Sequence, residues 1–339
     1  MKAEKSGKPA EDEASGSKPV RDSLPDSNAD ADKKVKTKIK KSRLWLALMP
    51  RLKELKFDAY LMSKSATSIA GIVLLIILVI IAAFPSFFAT PADPSHPEMM
   101  PWNPLLWEPR PPGVDGFILG SGLAGADIYY GVIWGARISM AFAIEVVGIS
   151  VIIGTLLGLL AGYKGGVLDE IVMRVTDVFL SIPSLVLIMA IAAVLGRNLE
   201  STKFALIMVW WSGYTRIIRG QVLSIRENTY IVAAKASGSS EGSIMMRHIL
   251  PNSWAPVVVQ ATMDMGTVVL VMAGLSYLGL GAEPGTAEWG QMIYAGQDRF
   301  ITGSWWMVFF PGMAILVFVL AFNLIGDGLR DVLDPKMRR

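Results

Sequence analysis

The sequence predicts an all-α polytopic membrane protein with six transmembrane helices and with both termini in the cytoplasm. Three observations predict it. Of 339 residues, 52% are hydrophobic and 18% charged, with a mean hydropathy of +0.45, too apolar for an ordinary soluble domain. The apolar residues gather into runs about as long as a bilayer core is thick. Lys and Arg crowd one alternating set of the connections between those runs. The chain has no cysteine and two histidines, His96 and His248, far apart in sequence. That rules out a disulfide framework or a cysteine nucleophile and argues against a His-based metal centre.

Residues 1–43 hold 12 of the 32 Lys and Arg and 8 acidic residues, with almost no large apolar side chains. Such a segment cannot bury enough surface to offset its ordering entropy, so it is expected to be a disordered cytoplasmic tail. It is not a signal peptide, because no apolar stretch follows the first charges. Its run KKVKTKIKK is better matched to anionic lipid headgroups than to nucleic acid. Residues 44–67 are expected to form an interfacial amphipathic segment. Residues 68–88 form an uncharged run of roughly 31 Å as a helix, the first transmembrane helix. A Pro-rich external loop is expected over 89–136. The core of 137–327 then supplies five more spans: one after Arg137, a third over 175–196, a fourth beginning in FALIMVWWSGY, a fifth over 254–281 and a sixth over 305–325. The fourth has few apolar residues before Arg216 and Arg219, so it must run through both, with their long side chains reaching for the inner interface. Residues 328–339 are expected as a cytoplasmic tail. The basic residues place a polar hairpin at 229–251 inside, and the loops 89–136 and 282–304 outside.

Inside the spans, Ser150, Gly154, Gly158 and Gly162 recur every four residues. That spacing makes one groove along a helix where another backbone can come close, in a moving or a static bundle. Glu145 and Asp264 lie within spans, where an ionisable group is expected either to line a substrate path or to pair inside the bundle. Asp177, three residues after Arg174, is expected to form a local ion pair with it.

The hairpin AAKASGSSEGSIMMRHILPN, residues 233–252, is helix-prone on both sides of a glycine. Residues 230–237 favour helix, and Gly238 can end it in the left-handed conformation. Ser239 and Ser240 can cap a second helix, and Pro251 either stops that helix or starts the next span. Ala233, Ala234 and Ala236 give the first arm a nearly smooth face. Such a knob suits a cleft on another protein, or else is a plain connector lying on the membrane.

The same stretch resembles the cytoplasmic coupling loop of ABC importer permeases. Ala233, Ala234, Gly238, Ile249, Leu250 and Pro251 match its signature, and Val232 stands where that signature often has Glu. GVIWGARISM, RVTDVFLSIPSLVL, LSYLGLGAEPGTAEWG, WWMVFFPGMAI and NLIGDGLRDVLDP extend the likeness over about residues 120–339. The chain thus resembles the second permease subunit of the dipeptide, oligopeptide and nickel transporter family, the DppC/OppC type.

The resemblance implies a type I ABC importer permease fold forming half of a translocation pathway for di- or oligopeptides. It implies as partners a DppB/OppB-type second permease subunit, two ATPase subunits and an external substrate-binding protein. ATP and Mg would be bound by the ATPases and no cofactor by this chain, which has no phosphate-binding loop and is no enzyme. The coupling residues implied are Tyr230, Ala233, Ala234, Ala236, Gly238, Arg247, Ile249, Leu250 and Pro251. Around LGLGAEPGTAEWG the resemblance implies a surface near the binding protein, with Glu283 and Glu288 as docking candidates and Trp289 suited to the membrane interface. The same architecture could import oligosaccharides or nickel chelates. An ion-driven secondary transporter would want an inverted repeat, and none is evident. A membrane enzyme would want a clustered acid–base set, which isolated Glu145 and Asp264 do not supply.

Overall fold

The structure, a computed structural model, describes residues 62–103 and 105–333. The expected tail 1–43, most of the interfacial segment 44–67 and the end of the 328–339 tail lie outside the described residues.

The first span forms α1 (Ala66–Ala83), with the Ser65 hydroxyl capping its N-terminus. It ends before Phe88 because Pro85 excludes a helical residue ahead of it, and Phe84 adopts φ −125° and ψ 51°. The short α2 (Pro85–Phe88) follows. The second span, α3 (Ile128–Lys164), starts well before Arg137, where the Asp127 carboxylate accepts the Tyr129 N–H. The expected external loop 89–136 is therefore helical over its last residues. The third span is not straight. It divides into α4 (Gly166–Ser181) and α5 (Ser184–Leu195), bent by 91° at Ile182 and Pro183. Ile182 is extended there, as the residue before a proline should be.

The fourth span is a helix, α6 (Leu199–Arg226), and it does run through Arg216 and Arg219. These arginines find carboxylates on α4 rather than only the interface. Arg219 grips Asp169 through two hydrogen bonds of 2.5 and 2.7 Å, and Arg216 reaches Asp177. Asp177 is thus paired across two helices and not with Arg174, which lies 3.7 Å from Glu170. Then come the short α7 (Thr229–Ala236) and α8 (Glu241–Ile244), followed by α9 (Leu250–Tyr277), α10 (Trp289–Phe300) and α11 (Trp306–Leu333). α11 carries the last span beyond Ile325, so the expected 328–339 tail begins as helix.

By length and composition, four helices among the described residues can cross a membrane, or five if the bent α4–α5 pair counts as one span. α6 is as long as α9, with 28 residues each, but carries more charge.

The small-residue stripe of α3 forms a close seam of the bundle. A Cβ on Gly154 would stand 2.5 Å from the Tyr214 Cβ, and one on Gly158 would stand 2.5 Å from the Thr215 carbonyl oxygen. The backbones of α3 and α6 therefore lie against each other, as small residues four apart allow. α11 brackets α1, where Gly328 sits over Ser68 and Gly71 meets Leu324 and Ile325. The start of α1 and the end of α11 thus share one end of the bundle. At the other end, the segment after α2 joins the one before α10. Ala287 N–H donates to the Glu98 carbonyl at 2.7 Å, and Met100 N–H to that of Gly285 at 2.8 Å.

Candidate functional site

Three places could carry function: the hairpin between α6 and α9, a cavity beside the α4–α5 bend, and the tied segments after α2 and before α10.

At the hairpin, α7 ends in a two-bond glycine stop. Gly238 has φ +76°, its N–H reaches the Lys235 carbonyl at 3.1 Å, and the Ser239 N–H reaches that of Ala234 at 3.1 Å. Only glycine takes this conformation without cost, and both orphan carbonyls are satisfied by it. The Ser240 hydroxyl then accepts the Ser243 N–H at 3.4 Å and starts the second arm. That arm is not a separate helix. It passes through a widened turn (Met245–Ile249), in which Leu250 N–H bonds the Met245 carbonyl, directly into α9. Pro251 neither stops the arm nor breaks the rod. The widened turn makes room where its ring would crowd the preceding carbonyls. Residues Glu241–Tyr277 are consequently one continuous rod of 37 residues.

The nine candidate coupling residues divide by burial. Tyr230, Ala233, Ala236, Gly238, Arg247 and Pro251 are exposed, and so are Val232 and Met246. Ala234 and Leu250 are half-buried. Ile249 is fully buried, with Ile231 and Ile244, in the hydrophobic core of the bundle. Its part is to anchor the hairpin, because its side chain has no surface to offer a partner. The widened turn Met245–Ile249 shifts the helical phase, and both Ile244 and Ile249 come to face the bundle.

The cavity has a volume of about 730 Å³ and is walled by the bend (Phe179 to Ser184), by α6 and by α9. Asp264 lines it and is 8% exposed. Tyr214 O–H donates to its Oδ2 at 2.5 Å, and Gln260 Nε2 to its Oδ1 at 2.9 Å. Glu145 is not part of this cavity. It pairs with Lys203 on α6 at 2.6 Å, and Lys203 also holds Glu200 at 2.8 Å. The two acids thus separate: Glu145 is exposed on the bundle surface and paired with Lys203, while Asp264 is buried and faces a cavity. The bend that opens the cavity was readable in the sequence as Pro183. Its meeting with Asp264 was not.

Where the segment after α2 joins the one before α10, Glu288 is fully buried. It caps α10 by accepting the N–H groups of Gly290 and Gln291 at 2.9 and 2.8 Å. Burial pushes its carboxyl above the usual range, against the pull of those N–H donors. It cannot meet a docking protein, whereas Glu283 is exposed and can. Trp289 is likewise buried and not at an interface: its Nε1 donates to the Val132 carbonyl at 3.2 Å, and its ring covers Gly135. Glu288→Ala is expected to lower stability by about 2 kcal/mol, a lost cap plus stranded buried donors. Thermal denaturation of the purified protein against Glu283→Ala, which should change little, checks it.

A profile of the family described as "Binding-protein-dependent transport system inner membrane component" matches residues 154–339. The dipeptide transport system permease protein DppC of Alkalihalophilus pseudofirmus is 45% identical over 214 residues, covering 63% of this chain and 70% of that one. The probable D,D-dipeptide transport system permease protein DdpC of Escherichia coli is 45% identical over 217 residues, covering 64% and 72%. Among solved structures, a chain of the MetNI methionine ABC transporter in inward facing conformations aligns with a TM-score of 0.50 at 20% identity. It covers 60% of this chain and 97% of that one, a likeness of fold alone.

Proposed function

Because this chain belongs to the family of binding-protein-dependent transport system inner membrane components, we propose that it is the second permease subunit of an ATP-driven peptide importer. It forms half of a pathway for di- or oligopeptides beside a DppB/OppB-type partner. Two ATPase subunits hold ATP and Mg, and an external binding protein delivers substrate. The observation that carries this reading is the hairpin: a glycine-stopped knob with an exposed alanine face, anchored in the core by Ile231, Ile244 and Ile249 and continuous with a membrane-length helix. A push on that knob bears on α9, because its second arm runs into that helix through the widened turn Met245–Ile249 without leaving helical backbone. That is how a state change in a partner becomes re-orientation of helices.

In this reading the chain crosses the bilayer six times, counting α6 and the bent α4–α5 pair, and both termini are cytoplasmic. The hairpin end is then cytoplasmic, in keeping with the excess of Lys and Arg there. Tyr230, Ala233, Ala236, Gly238 and Arg247 face the ATPase. Asp264 lines the pathway, while Glu145 steadies the α3–α6 pair. The relatives' dipeptide names support peptides over oligosaccharides or nickel chelates.

The test is reconstitution of the purified complex in vesicles. ATPase subunits should copurify with this chain, and a labelled dipeptide should accumulate only with ATP and the binding protein. Uptake on an ion gradient without ATPases would overturn the proposal. Glu283→Lys is expected to raise the binding-protein concentration needed for half-maximal uptake by roughly threefold to tenfold at low salt. Added salt should shrink the effect, as for a rim charge. An unchanged requirement would remove Glu283 from the docking surface.

A further inference from the structure

The cavity beside the α4–α5 bend combines a carboxylate with aromatic and apolar walls. Phe179, Ile182, Pro183, Trp210 and Ile217 supply the walls, and Asp264 is the acid on the α9 side. Tyr214 and Gln260 donate one hydrogen bond to each oxygen, and the Trp210 side chain is a further donor to the carboxylate. A carboxylate has about four lone-pair positions, so acceptor capacity remains after these three donors. Among the described residues, no Lys, Arg or His forms an ion pair with Asp264. Arg216 lines the same cavity but reaches Asp177 with its guanidinium. A buried acid without a cation is costly unless something in the site completes it. The aromatic faces are themselves attractive to cations, and the volume is that of a small-molecule site.

We propose that Asp264 is the anchor of an ammonium-binding subsite in the translocation pathway, which takes the free α-amino group of a peptide in transit. This rests on the peptide-importer reading above and adds to it a selective contact within the permease. Tyr214 and Gln260 are positioning residues: each fixes one oxygen of a carboxylate that lines the cavity. The arrangement favours substrates with a charged amino end over those whose amine is acylated.

The chain has no cysteine, so one introduced thiol reports cleanly on the cavity. In the complete complex, Ser184→Cys places that thiol on the exposed cavity wall. Cationic methanethiosulfonate should label it several-fold faster than the anionic reagent of similar size. Adding Asp264→Asn should bring the two rates close together. Adding Asp264→Glu instead keeps the charge and should restore most of the preference, which a merely structural loss would not. Alanyl-alanine should slow labelling, and N-acetyl-alanyl-alanine should not. A charge preference that survives Asp264→Asn, or equal protection by both dipeptides, would overturn the subsite. ATP-driven uptake of labelled alanyl-alanine by the parent complex is measured alongside. If that uptake is absent while the charge preference depends on Asp264, the peptide reading fails and the cation site stands.

Discussion

Replacing Gly238 by Arg is expected to leave the chain inserted and the bundle intact, and to cut ATP-driven uptake by at least about tenfold, the loss of about 1.4 kcal/mol of productive coupling. Two facts decide this. Gly238 sits at φ +76°, which costs an L-residue about 1–2 kcal/mol. A Cβ there would meet nothing among the described residues within 4 Å. The fold therefore absorbs the change, and the added guanidinium projects from the tip into whatever the knob enters. ATP hydrolysis should continue or rise while accumulation in vesicles falls, because the motor and the bundle no longer move together. Gly238→Asn is the matched control. Asn accepts the left-handed region more readily than other residues and adds little bulk, so most uptake should remain. Normal uptake by the Arg variant, with all partners present, would mean that the knob transmits nothing.

Gly158→Leu is expected to be more destructive, and for a different reason. A Cβ at this position would lie 2.5 Å from the Thr215 carbonyl oxygen and 3.0 Å from the Ile218 Cβ. Neither can yield without moving α6, which is held to α4 by the Arg219–Asp169 pair and to α3 by Arg226, whose guanidinium donates to the Gly162 carbonyl at 2.9 Å. Overpacking of about 1–3 kcal/mol is the usual cost when a core can adjust. A backbone-to-backbone seam has less room to adjust, so the cost should reach or exceed the top of that range. The variant should accumulate poorly and denature at a lower temperature. Gly148→Leu lies on the same helix, where nothing stands within 4 Å, and should leave the α3–α6 seam unchanged. Equal stability of the two variants would refute the seam.

The stripe behind this second result was legible because spacing along one helix is a property of that helix alone. The glycine stop and serine cap of the hairpin were legible for the same reason, since caps are decided within a few residues. Pro85 and Pro183 carried a readable signal too. The spans drawn through them were too long or too straight because hydropathy averages across a break. Asp177 was misassigned to Arg174 by local spacing, whereas Arg216 on another helix holds it. Glu288 and Trp289 looked like surface residues in a polar, glycine-rich stretch, yet both are buried. The pairing of Glu98 with Ala287 brings the segment after α2 to the one before α10, which no local pattern encodes.

By itself, then, the sequence determined what short-range chemistry controls: which runs are apolar enough for a bilayer, which side carries the cations, and where the hairpin turns. Only the tertiary structure decided which of two intramembrane acids faces a cavity, which outer glutamate is buried, and that the hairpin's second arm and α9 are one rod. Insertion and capping depend on a residue and its near neighbours. Burial, pairing and access depend on segments tens to hundreds of residues away, and those meet only once the helices have packed.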